Sequence, residues 1–146
     1  MSRRDSREAA VKIIFQNEFL DSRLRTDDGG EIFSAEDMMA MYISASEEKE
    51  IRKVDRSFAV ALVEKTLGNI GEIDGVISDN IDDEWTIGRL CKIDLAILRE
   101  AIAEMKYFDD IPVSVTINEA VELAKKFSYP EAAAFINGIL GSVSRQ

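Results

Sequence analysis

Residues 91–108 read CKIDLAILREAIAEMKYF, and apolar side chains cover most of the circumference a helix would give them. Ile93, Leu95, Ala96, Ile97, Leu98, Ala101, Ile102 and Met105 leave only a narrow polar edge, the pattern of a helix surrounded by other helices. The spacing predicts a central helix from about Lys92 to Lys106. Asp109-Asp110-Ile111-Pro112 ends it. Thr116 and Glu119 have the spacing of a capping box, so the next helix, within SVTINEAVELAKKF, starts between Pro112 and Thr116. Pro130 suits the first turn of a last helix, PEAAAFINGILGSV, entered through Ser128 and Tyr129.

Toward the N-terminus the same reading continues. Ser2 or a neighbour caps a first helix running to about Phe19, with Ala10, Ile13, Ile14 and Asn17 or Phe19 at helical spacing and Arg4, Arg7 and Lys12 on the other face. Residues 21–33, with Gly29-Gly30, predict a loop before a second helix, SAEDMMAMYISA, capped near Ser34. Val54, Phe58, Ala61, Leu62 and Leu67 form the stripe of a third helix ending near Gly68; IDGVISDNI is a fourth, and the acids before Trp85 mark a turn. VSVTI is too short for a strand and runs into a helical pattern. The expectation is an all-α, compact seven-helix bundle without internal repeats or low-complexity segments.

The chain's 146 residues fit one domain, 1–146, able to bury roughly two-thirds of the surface its unfolded form would expose. Apolar residues make up 46% and charged residues 32%, which separates the chain from disordered sequences. No stretch approaches the roughly 18 apolar residues of a membrane span, and no secretory signal opens it, so a cytoplasmic protein is expected. The single Cys91 offers no internal disulfide, and the absence of histidine removes a structural zinc site and the usual acid/base of hydrolytic triads. The acidic clusters Glu47-Glu48, Asp82-Asp83-Glu84 and Asp109-Asp110 read as solvated turns or helix starts rather than paired catalytic acids. Neither common phosphate-cradling glycine loop occurs. Hydrolytic chemistry is therefore not expected, and nothing in the chain asks for a cofactor or a metal.

The formal net charge is −10, yet residues 1–16 carry four basic and two acidic side chains, leaving −12 on the other 130. Arg3, Arg4 and Arg7 occupy a helix start, where the dipole disfavours cations by about 0.3–1 kcal/mol each, and Arg3 and Arg7 repel each other across one turn. On this reading alone, replacing the three with alanine should leave stability equal or slightly higher. An acidic body with a compact basic edge suits a specific phosphate binder that avoids coating RNA indiscriminately. An arginine-bearing solvent face, with Arg4 paired to Glu8, fits the same residues.

The segment WTIGRLCKIDLAILREAIAEMKYFDDIPVSVTINEAVELAKKF, followed by FINGIL, resembles the C-terminal half of the bacterial NusB family of transcription antitermination factors. In that family a tryptophan, a leucine, an ILR helix, a proline, an INEAVELAK segment and an F-[VI]-N-G-[VI]-L element recur in this order. Arg4 to Gln16 is similar to the family's N-terminal RREAAVKIIFQ pattern, with Asp5 and Ser6 interposed. The resemblance covers nearly the whole chain apart from residues 21–50. It implies a bundle of two helical halves without enzymatic activity. Such a protein binds the single-stranded boxA element of ribosomal RNA leader transcripts with NusE, a small-subunit ribosomal protein, and joins the RNA polymerase antitermination complex.

Carried over by position, the RNA-binding residues are Arg3, Arg4, Arg7 and Lys12 of the basic edge and the aromatic Phe135; Phe15, Asp94 and Arg99 match positions near the NusE contact. Guanidinium groups offer planar donor forks to phosphates, and exposed bases need stacking or edge contacts. Phe135 equally fits a core position, and Phe15 and Arg99 fit purely structural ones. Asp5 interrupts the arginines, Ala134 replaces a base that can precede the aromatic, and Asn80 stands where an RNA-contacting aromatic can occur; each points to weaker affinity for RNA alone. Asn118 and Asn137 are expected to make buried hydrogen bonds that fix helix ends. Two other readings share the pattern. One is the NusB-like module ahead of a methyltransferase domain in ribosomal RNA cytosine methyltransferases, disfavoured because the chain stops at Gln146, after the last family helix. The other is a protein-interaction or self-associating module without RNA affinity.

Overall fold

A computed structural model describes residues 2–19, 33–82 and 84–146. Among these residues the architecture is all-α: α1 (Arg3–Asn17), α2 (Ala35–Ala45), a single turn α3 (Glu48–Ile51), α4 (Arg56–Gly68), α5 (Ile70–Asp79), α6 (Lys92–Tyr107), α7 (Val113–Phe127) and α8 (Ala132–Ser144). Seven of these have ten residues or more, and a 3₁₀ turn, Ile87–Arg89, precedes α6. The loop expected over 21–33 lies, up to residue 32, outside the described residues. The chain divides into two compact units, residues 1–64 and 65–146.

In the first unit α1 begins where its sequence says it should. Ser2 is the N-cap and its Oγ accepts from the Asp5 N–H at 3.1 Å. Ser34 caps α2 in a complete capping box: its Oγ accepts from the Asp37 N–H and its own N–H donates to the Asp37 carboxylate. Ala9, Ala10, Val11, Ile13 and Ile14 of α1, Met38 and Met39 of α2, and Ala59, Val60, Leu62 and Val63 of α4 are buried. The buried stripe of α4 is therefore rotated from the expected one; of that set only Leu62 is fully enclosed, whereas Val54, Phe58, Ala61 and Leu67 are half-buried.

The second unit is built on α6, which packs against α5, α7 and α8. Every residue from Asp94 to Glu104 is buried, so the segment that is apolar nearly all round is enclosed nearly all round. Its polar edge is enclosed as well and answered by neighbours. Arg99 forks onto Asp74 of α5 through Nε–Oδ1 and Nη2–Oδ2, both at 2.8 Å. The Thr116 hydroxyl of α7 donates to Glu104 Oε1 at 3.2 Å. Thr116 thus sits inside α7, whose N-cap is Pro112, and is no capping residue: its hydroxyl satisfies a buried carboxylate instead. Asn118 and Asn137 are exposed, contrary to expectation, because Thr116, Ala120, Leu123 and Ala124 on α7, and Ile136, Ile139 and Leu140 on α8, define buried stripes that miss them. At the far end of α6, Lys106 Nζ lies 2.8 Å from Glu72, and the Tyr107 hydroxyl donates to the same carboxylate at 2.9 Å. Hydrogen bonding from Lys106, then Tyr107, holds the Glu72 carboxyl below the usual range.

Candidate nucleic-acid and partner interface

In the first unit the N-terminal basic residues fall into two environments. Backbone bonds tie the start of α1 to the segment before α4: the Ser2 N–H donates to the Lys53 carbonyl at 2.6 Å. The buried Ser6 hydroxyl donates to the Ser2 carbonyl and accepts from the Asp55 N–H, both at 2.7 Å, and Asp55 in turn accepts from the Phe58 N–H. Ser6, which looked like an interruption of the arginine pattern, is the bolt of this junction.

The junction sets Phe58 beneath two guanidinium groups. Arg3 Cζ lies 4.6 Å and Arg7 Cζ 5.6 Å from the ring centroid. Arg3 and Arg4 remain exposed, whereas Arg7 is only 4% exposed. Arg7 therefore does not share the solvent face expected for it. A guanidinium one turn into a helix is tolerated there because an aromatic face and the enclosed side-chain stem offset the dipole and the repulsion from Arg3. Lys12 makes a 3.4 Å ion pair with Glu8, one turn back on the same helix. Phe15 is half-buried and meets the exposed Phe19 edge to face at 5.1 Å.

In the second unit Asp94 is 8% exposed, and its carboxylate accepts a 2.5 Å hydrogen bond from the Ser128 hydroxyl. Asp94 and Phe135, assigned from sequence to different ligands, line one groove of about 410 Å³ together with Trp85, Arg89, Tyr129 and Glu131. Trp85 and Tyr129 are exposed large apolar side chains, at 47% and 71%. The Arg89 guanidinium lies 5.9 Å from the Trp85 ring and donates to the Glu84 carbonyl. Arg99 is turned inward on Asp74 and takes no part in this groove. Asn80, the C-cap of α5, is held by the Ser142 hydroxyl at 2.7 Å and by the Gln146 side chain, and so serves the fold.

Trp85 and Tyr129, which the sequence marked only as a turn and as the entry to the last helix, line this groove; the signal was that neither belongs to a helical apolar stripe. No described helix is long and apolar enough to cross a membrane.

Comparison with known proteins places these features in a family. A profile of the NusB family matches residues 4–145. The chain is 43% identical over its full length to the transcription antitermination protein NusB of Natranaerobius thermophilus, covering 96% of that protein, and 35% identical to that of Listeria monocytogenes, with 99% and 97% of the two chains aligned. Among solved structures, NusB of T. maritima superposes with a TM-score of 0.79 at 28% identity, covering 100% of this chain and 92% of the other. A structure of the antitermination factors NusB and NusE with double-stranded RNA shares the fold, with a TM-score of 0.76 at 22% identity over 98% and 96% of the chains. With matching helices, matching order and matching sequence from Arg4 to Arg145, this chain belongs to the NusB family of transcription antitermination proteins.

Proposed function

We propose that the protein is a non-enzymatic transcription antitermination factor that binds the boxA element of ribosomal RNA leader transcripts together with NusE and promotes processive elongation by RNA polymerase. Membership of the NusB family over residues 4–145 carries this reading. The pairing with NusE is supported by the solved relative of the same fold, in which NusB and NusE are held with double-stranded RNA.

The RNA contact divides by accessibility. Arg3 and Arg4, exposed at the start of α1, supply donor forks to phosphates, with Lys12 one helical face along. Arg7 acts as a positioning residue: enclosed beside Phe58, it fixes the helix start that presents its neighbours. Phe135 offers a half-buried ring to a base. Asp94 and Phe15 belong to the NusE contact, an acid and an aromatic suited to a basic ribosomal protein. Arg99 supports that surface from behind through its bidentate hold on Asp74. All these roles act through binding, and none requires a cofactor.

A titration with boxA RNA and a scrambled control of equal length, with and without NusE, tests the reading. Preferential binding of boxA, strengthened by NusE, is expected. Equal binding of both RNAs in the presence of NusE would remove sequence-specific antitermination from the account.

A further inference from the structure

The groove beside Asp94 has a composition that neither phosphates nor a plain apolar segment would select. Its walls are aromatic, from Trp85, Tyr129 and Phe135, and it carries two carboxylates, Asp94 and Glu131, against one guanidinium. That guanidinium, Arg89, is already engaged with the Trp85 ring and the Glu84 carbonyl. Asp94, in the first turn of α6, answers the positive end of its own helix and is mostly enclosed.

A strand that stacks a base on Phe135 at the edge of this groove must hold its phosphates away from the two carboxylates, whose repulsion is strong near low-dielectric walls, so the rest of the groove is left to another occupant. A cationic side chain finds the opposite: ring faces that attract it through their quadrupole and carboxylates that pair with it. The Arg89 contact shows that the Trp85 ring already accepts a guanidinium. The exposure of Trp85 and Tyr129, both larger than a folded chain usually leaves bare, is explained if a partner covers them.

We propose that Trp85, Tyr129, Asp94 and Glu131 form a cage that receives an arginine or lysine side chain of the protein partner, making Trp85 and Tyr129 specificity-determining residues for NusE. The proposal rests on NusE being the partner. Phe135 lines the same groove and belongs also to the RNA reading, so it is left intact in the test.

Trp85 is the sole tryptophan, so the full-length protein labelled with 5-fluorotryptophan gives one ¹⁹F resonance reporting on the cage. Addition of NusE without RNA should shift that resonance, and the shift should shrink in the Glu131→Gln variant. In calorimetry, the Trp85→Ala/Tyr129→Ala variant should lose about tenfold in NusE affinity, the scale of one desolvated cation–π contact. Trp85→Phe should recover part of the loss, and Glu131→Gln should lower NusE affinity while leaving boxA affinity equal or higher. The groove lining lies at the rim of α6 and α8, and an unchanged circular dichroism melt separates lost binding from lost folding. If wild-type protein binds NusE while both ring variants bind it as tightly, the cage is overturned with the partner intact. A resonance that saturating NusE, binding without RNA, leaves in place overturns it as well. Absence of NusE binding by the wild-type protein overturns the partner itself.

Discussion

Replacing Arg7 with alanine should destabilise the protein, although the local rules for helix starts predict the reverse. Arg7 is enclosed, and its guanidinium sits 5.6 Å from the Phe58 ring centroid. The cation–π contact contributes about 0.5–2 kcal/mol, and each buried methylene of the stem adds about 0.8 kcal/mol. Against this, removing a cation from the positive helix end and from beside Arg3 returns about 0.3–1 kcal/mol, and alanine gains a few tenths in helix propensity. The net expectation is a loss of about 1.5–2.5 kcal/mol for Arg7→Ala. At a urea m-value of about 2 kcal/mol/M this lowers the unfolding midpoint by about 1 M. Arg4→Ala, at an exposed position, should stay within about 0.5 kcal/mol of wild type. Urea unfolding followed by circular dichroism measures both. An Arg7→Ala midpoint equal to that of wild type, or equal to that of Arg4→Ala, would refute the view that Arg7 braces the helix start.

Leu98, fully enclosed in α6, should cost about 2–5 kcal/mol when cut to alanine, and a denaturation midpoint equal to wild type would show the site is not packed on all sides. Asp94→Asn should keep an acceptor for Ser128 and hold the melting temperature near wild type while weakening NusE binding; Asp94→Lys, which places an ammonium where a carboxylate is 8% exposed, should lower the melting temperature as well. Thr116→Val removes a donor from the buried Glu104 carboxylate, and a loss of about 1.5–3 kcal/mol in urea unfolding is expected for a hydrogen bond to a charged group. The Tyr107 phenol titrates above its ordinary value, first through partial burial and then through Glu72; the Glu72→Gln change should therefore bring its ultraviolet titration midpoint down. Because Glu72 is itself held low, its ion pair with Lys106 is complete above the ordinary carboxylate pKa and is lost only as pH falls through the depressed one; Glu72→Gln should flatten that part of an acid titration.

The features that the sequence made legible are those set by neighbours in the chain. Ser2 caps α1 and Ser34 caps α2 because the partner N–H groups lie three residues away. The enclosure of α6 follows from its own composition, and the start of α7 from Pro112. What escaped depends on partners far along the chain. Arg7 meets Phe58, Arg99 meets Asp74, Asp94 meets Ser128, and Thr116 meets Glu104, and no local pattern announces any of these pairs. Thr116 shows the cost most plainly, since its spacing to Glu119 imitates a capping box while its hydroxyl answers a carboxylate on another helix. The grouping of Asp94, Phe135, Trp85 and Tyr129 in one groove is likewise tertiary: it forms where the turn before α6 and the entry to α8 converge.

On the proposed function, the exposed arginine edge at the start of α1 holds boxA RNA when NusE is present. Fluorescence anisotropy on labelled boxA with NusE, at three salt concentrations, tests it most directly. With Arg3, Arg4 and Lys12 each neutralising a phosphate, log affinity against log salt should have a slope of about −2, at roughly −0.7 per single-strand contact. The Arg3→Ala/Arg4→Ala variant should bind more weakly, with a slope near about −0.7. A variant that binds as tightly as wild type, with the same slope, would mean that the basic edge is not where the RNA lies.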